Sequence, residues 1–244
     1  FLVKYSLGAP TLQLATGNIN HHAFYNSGND TNTLTFNYTV QPNDNTSDLN
    51  YTSTSAFKLN SGSIQDNGFN LADLTLPALD SSASLGGSKN IVVDGIRPTI
   101  VSTSPAENSS SVALDTSITV TFSEPMDAAT ITTNTSNTSC SGSIQLSSDN
   151  FSTCVMMSEE PDASNSKQRY TLKPASDLSY STIYKIRVTT GVKDSAGNAL
   201  ASQYTQTNGF TTGTNTDTTP PTVAPTSPDD AATAVSLSSS IPIP

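Results

Sequence analysis

Tryptophan is absent from this 244-residue chain, histidine and cysteine occur twice each, and only 12% of the residues are charged. Each shortage removes something. No apolar run approaches the roughly 18 residues of a membrane-spanning helix, so no membrane span is expected in this stretch. Ten basic residues face twenty acidic ones, a net charge of −10, and an acidic chain repels phosphate backbones, which argues against nucleic-acid partners. Two histidines, His21 and His22, leave little for histidine-based catalysis, and no G-x-S-x-G nucleophile elbow is present. Adjacent histidines on a strand face opposite sides, so they do not share a metal, and a solvated loop is expected there. The missing tryptophan removes the strongest stacking ring for sugars, and the eight Tyr and eight Phe read mostly as core. Glu159 and Glu160 sit beside Pro161 and read as a solvated turn rather than an acid–base pair. The chain is therefore not expected to be an enzyme.

What the chain does have is repetition. Pro98–Val120 (PTIVSTSPAENSSSVALDTSITV) overlays Pro221–Ile243 (PTVAPTSPDDAATAVSLSSSIPI) without a gap. Pro98, Thr99, Thr103, Ser104, Pro105, Val112, Leu114, Ser117 and Ile118 each recur 123 residues later. Identity at turn and apolar sites together points to an array of similar units, of which the chain is expected to be a piece.

The apolar residues alternate. Thr33–Val40 sets Leu34, Phe36, Tyr38 and Val40 against Thr33, Thr35, Asn37 and Thr39. Ile118–Phe122 does the same with Ile118, Val120 and Phe122 inward, and Ile183–Thr190 opposes Tyr184, Ile186 and Val188 to Ile183, Lys185, Arg187 and Thr189. A period of two marks a sheet with one buried face. Leu71–Leu76, Asn90–Val93, Gln145–Ser147, Phe151–Met157 and Tyr170–Lys173 are further candidate strands between Gly, Asn, Asp and Pro turns. No amphipathic helix of useful length appears. The reading is all-β, tandem Ig-like antiparallel β-sandwiches. Proline-bearing stretches at 90–98 and 213–221 divide the chain into a first unit over 1–94, a second over 98–213 and the opening of a third over 221–244.

Cys140 and Cys154 stand fourteen positions apart and suit a local disulfide, with two free thiols as the alternative. Asp66 and Asn70, and Asp194 and Asn198, share a four-residue spacing in oxygen-rich turns. Such turns either ligate Ca2+, which takes six to eight oxygens, or hydrogen-bond their own backbone. Asp94 and Asp217, just before the linker prolines, are candidates for a calcium ion at a junction between units. The candidate calcium ligands are thus Asp94, Asp194, Asn198 and Asp217, and Ca2+ is the one cofactor considered.

Pro98–Thr212 resembles a bacterial Ig-like domain of the S-layer-protein type. Pro98-Thr99-Ile100, Ser104-Pro105, Val112 to Leu114, and Ile118 through Phe122 into Ser123-Glu124-Pro125-Met126-Asp127 carry the likeness. So do Val192 to Leu200 (VKDSAGNAL) and Phe210-Thr211-Thr212, while the Cys140–Cys154 insertion departs from the pattern. The stretch 10–94 resembles a repeat of large bacterial surface adhesins at Thr33–Val40, Asp48-Leu49-Asn50-Tyr51, Leu59–Asp66 and Ser84-Leu85-Gly86, with no clear opening strand before Leu12. The resemblance implies an extracellular or cell-surface setting and a structural or spacer role, with neighbouring repeats of the same chain as partners. An adhesin that binds a protein or glycan ligand through tip loops, with Thr130–Ser139 the loop to inspect, is the alternative. An accessory module of a secreted enzyme is the third.

Overall fold

The computed structural model describes residues 2–4 and 9–215; the third-unit opening at 221–244 and the candidate ligand Asp217 lie outside them. In the first part of the chain the strands are β1 (Leu2–Lys4), β2 (Thr11–Leu14), β3 (His21–Ser27), β4 (Thr35–Asn37), β5 (Asn45–Thr46), β6 (Phe57–Lys58), β7 (Ser63–Gln65) and β8 (Val93–Asp94). The sheet order is β4-β3-β2-β6, with separate pairs β1-β7 and β5-β8. A single-turn helix, α1 (Leu85–Ser88), is capped by the Ser84 hydroxyl, which accepts from the Gly87 amide.

The second part holds β9 (Ile100–Ser104), β10 (Ile118–Phe122), β11 (Ile144–Ser147), β12 (Asp162–Ser164), β13 (Arg169–Leu172), β14 (Ile183–Val188), β15 (Tyr204–Thr205) and β16 (Phe210–Thr211). One sheet runs β12-β13-β10-β9. The other runs β11-β14-β15, with β16 also paired to β14. Every ladder between these strands is antiparallel, as short connections require. The isolated bridge Val112–Thr212 is parallel and ties the start of the unit to its end.

The alternation read from sequence becomes burial here. Ile118, Val120 and Phe122 of β10 and Tyr184, Ile186 and Val188 of β14 face each other across one core of seventeen buried apolar residues. Thr119, expected in water, is buried as well. Gln206, 1% exposed, bonds both sheets: its Nε2 donates to Thr103 Oγ1 and Pro105 O at 3.1 Å each, and its Oε1 accepts from Ile186 N at 3.0 Å. A fully satisfied buried amide of this kind fixes the relation of the sheets. By contrast, the main cluster of the first part has only four buried members, Leu14, Ala23, Leu49 and Val93. At about 1.5–3 kcal/mol per buried apolar side chain, most of the stabilisation resides in the second part.

Several expectations are corrected. The Thr33–Val40 strand shrinks to β4, and Val40 is exposed, because Asp44 draws the chain into a turn by accepting from the Gln41 amide at 2.6 Å. Leu71–Leu76 makes one bridge, Leu71 to Gln65, and otherwise runs free of a ladder. Phe151–Met157 is no strand. Asp149 gathers that segment through the Thr153 amide and hydroxyl and the Ser147 hydroxyl, which hold its carboxyl down at about 2. His21 and His22 lie in β3 rather than in a loop, and β1 supplies a strand before Leu12. Thr130–Ser139 is not a free tip: Ile131 joins the core, and Thr133 and Asn134 are buried.

Candidate functional site

The two segments that carried the family likeness, Ser123–Asp127 and Val192–Leu200, are neighbours in space. Met126 bridges Asp194, the Asp127 amide donates to Lys193 O at 2.9 Å, and the Ser195 amide donates to Pro125 O at 3.1 Å. The Asp194–Asn198 turn is built by its own side chains. Asp194 Oδ1 accepts from the amides of Ala196 (2.9 Å) and Asn198 (2.8 Å), and its Oδ2 accepts from Asn198 Nδ2 (2.8 Å). Gly197 takes φ +97°, a conformation that glycine adopts without penalty. The Asp66–Asn70 turn repeats the scheme bond for bond: Asp66 Oδ1 accepts from Gly68 N and Asn70 N, and Oδ2 from Asn70 Nδ2. Both spacings are therefore Asx-type turns. What differs is the neighbourhood.

Among the described residues Asp66 belongs to no cluster of three potential metal-ligating groups. Asp194 has two further carboxylates beside it. Asp94, at the end of β8, Glu124, two residues past β10, and Asp194 each bring a carboxylate oxygen within 4.8 Å of the others. That span is comparable to twice a Ca2+–oxygen distance of about 2.4 Å. Asp194 is 1% exposed, and Glu124 Oε1 is buried without a hydrogen bond. Burial first, then the charges of Asp94 and Asp194, pushes the Glu124 carboxyl up to about 7. Among the described residues no Lys, Arg or His nitrogen pairs with any of the three. Asn198 enters as a clamp: the same Nδ2 that holds Asp194 also donates to Asp94 O at 3.0 Å. Arg97 in the linker adds a bond to Ala199 O at 3.2 Å.

Of the four ligands expected from sequence, Asp94, Asp194 and Asn198 thus converge. Glu124 was missed as a site residue, although it stands inside the Ser123–Asp127 segment; two carboxylates seventy residues apart carry no spacing signal. Cys140 and Cys154 form the expected disulfide, with Cα atoms 4.9 Å apart. Arg187 lies 3.9 Å over the Phe151 ring beside it and bonds Gln145, so the insertion is pinned to the sheet. No hydroxyl or thiol is bonded to Nε2 of His21, the histidine paired with a carboxylate at Asp44, so the described residues assemble no nucleophile–base pair there.

Comparison with known proteins bears on the same segment. Residues 94–212 match the family model described as a bacterial Ig-like domain. Among solved structures, domains 1–6 of the surface layer protein SbsC are similar at 23% identity over 48% of this chain, with a TM-score of 0.35. The chain spans only 14% of the length of that protein chain. CopC from Methylosinus trichosporium OB3b is similar at 18% identity over 49% of this chain and 97% of its own length, with a TM-score of 0.34. No curated protein matches the chain. The stretch from Asp94 to Thr212, with its two facing β-sheets and its paired Ser123–Asp127 and Val192–Leu200 segments, is a bacterial Ig-like domain.

Proposed function

We propose that this chain is a non-catalytic structural module of a bacterial secreted or cell-surface multidomain protein, acting as a spacer whose units meet at a braced, calcium-held junction. The units are 1–94 and 98–213, with a further repeat opening at 221. The observation that carries the reading is the joint itself. A purely flexible linker would leave Asp94–Pro98 free. Instead Asn198 holds Asp94, Arg97 holds Ala199, and three carboxylates from β8, the end of β10 and the Asp194 turn converge on one point. Asp94 is paired with Asn45 of the first unit, so a cation there would tie that unit to Glu124 and Asp194 and stiffen the stalk. Two carboxylates and a third that ionises as the ion displaces its proton, with no basic partner, supply the driving force, and the oxygen donors suit a hard ion.

The test is thermal unfolding of the chain in EDTA and in millimolar Ca2+, with the joint followed by small-angle scattering. A ligand present at 100 times its dissociation constant adds about 2.7 kcal/mol to the folded state. A rise of several degrees with calcium, together with a narrower spread of particle lengths, supports the reading. No shift and no change in scattering would overturn the calcium part and leave the joint braced by Asn198 and Arg97 alone.

A further inference from the structure

The first unit contains a hollow of about 560 Å³ that neither the junction nor the Ig-like domain uses. Strand β3 alternates. His21, Ala23 and Tyr25 face inward, and His22 and Phe24 face out. A phenylalanine on the outer face of a strand is costly to leave in water, and this one is 60% exposed. Across the ladder Phe24 pairs with Asn37 of β4, the edge strand. Asn20, His22, Asn37 and Tyr38 are among the residues that close the hollow around that ring. The lining includes no Asp, Glu, Lys or Arg. No hydrogen bond is made by the side chains of Asn20, His22 or Asn37 among the described residues.

Three of the lining residues, His21, Tyr38 and Gln41, are tied to one buried carboxylate, Asp44. Asp44 is 2% exposed and accepts from the Tyr38 hydroxyl, the Gln41 amide (2.6 Å) and His21 Nδ1 (2.9 Å). Burial opposes the Asp44 charge, but these hydrogen bonds outweigh it and hold the carboxyl below its usual range. A carboxylate only accepts, so the Nδ1 of His21 carries the proton, and in the neutral ring Nε2 remains an acceptor. Tyr38 and His21 stack with centroids 6.4 Å apart. His21 and Tyr38 are therefore held in place before any ligand arrives.

We propose that this hollow binds a neutral saccharide. An exposed aromatic face suits the C–H face of a pyranose, and the unpaired amides of Asn20 and Asn37 and the imidazole of His22 suit its hydroxyl edges. The lack of charged lining selects against acidic or basic ligands. The proposal is independent of the junction reading, since no residue is shared.

The test uses the full chain on a printed array of neutral oligosaccharides built from hexoses, pentoses and N-acetylhexosamines, with uronic-acid and sialylated sugars as the charged set. Titration calorimetry follows on the strongest binder. Binding to neutral members is expected. Phe24→Ala should weaken it roughly tenfold or more and Asn37→Ala several-fold, with unfolding temperatures near that of the parent because both side chains are exposed. D194N, in the junction, should leave it unchanged. No neutral sugar bound, binding confined to charged sugars, or undiminished binding by Phe24→Ala would each overturn the proposal.

Discussion

The side-chain amide of Asn198 donates to the backbone carbonyl of Asp94 at 3.0 Å, across more than a hundred residues of sequence. The same nitrogen holds Asp194 Oδ2 at 2.8 Å. One side chain thus builds a turn and fastens the preceding strand to it. That economy is possible because the turn already orients the amide through Asp194, so little side-chain entropy remains to be lost when Asp94 is engaged.

Asp194 accepts three hydrogen bonds while almost fully buried. Asp194→Ala should therefore cost about 2–3 kcal/mol in stability, through amides left unpaired. The equivalent change at exposed Asp66, which makes the same three bonds, should cost less, because water replaces the lost acceptor. Urea unfolding of the two variants measures the difference.

The Glu124 carboxyl is raised to about 7 from 4.5. The folded state then holds a proton that the unfolded state releases. Stability from this group is fully present below about pH 4.5 and is lost as pH rises through about 7. In EDTA the chain should gain stability on going from pH 8 to pH 5, by about 1–2 kcal/mol after solvent screening. Glu124→Gln should flatten that slope. Calcium affinity should run the other way, rising from pH 5 to pH 8, since the ion must displace the Glu124 proton. Melting curves at stepped pH, with and without calcium, decide both.

Reduction, or a double Cys140→Ser, Cys154→Ser change, should lower stability by roughly 3 kcal/mol on the loop-entropy argument. The loss should be confined to the Ig-like unit. Asp149 and the Arg187–Phe151 contact should keep the insertion folded onto β11 afterwards. Hydrogen exchange across 140–157 before and after reduction reports on that.

Gly197 holds φ +97°, and a Cβ there would meet open space. Gly197→Ala should cost about 1 kcal/mol from backbone strain alone. A much larger loss in chemical denaturation would mean that the turn also transmits strain to the Asp94 cluster.

Ile131 is part of the large core although it sits in the segment that the sequence presented as a polar loop. Ile131→Ala should cost about 2–4 kcal/mol by leaving a cavity. Deleting Thr130–Ser139 should unfold the domain rather than trim a tip, which calorimetry would show directly.

Where one strand carries its own alternation, the chain was legible without coordinates. Ile118–Phe122 and Ile183–Val188 appear with the faces their sequence announces, because a period of two on a central strand leaves one solution for burial. Thr33–Val40 misled for a physical reason. Its alternation is as clean, but the Asp44 carboxylate offers the backbone a competing hydrogen bond at Gln41, and the ladder ends at Asn37. Phe24 misled in the other direction: a lone phenylalanine carries no signal for exposure.

Local chemistry was readable because it is written within a few residues. A proline fixes φ, an Asp four residues before an Asn closes a turn, and two cysteines fourteen positions apart reach each other. The all-β class and the disulfide belong to that category. Partners that meet through space were decided only by the tertiary structure. Asp94, Glu124 and Asp194 converge because β8, β10 and the turn after β14 end at the same corner, and no local rule fixes where three separate elements end. The burial that pushes the Glu124 proton affinity up, and the buried Asp44 that sets His21 and Tyr38 beneath an exposed ring, exist only once the sheets have packed, because desolvation is a property of the whole surrounding volume and not of the chain beside it.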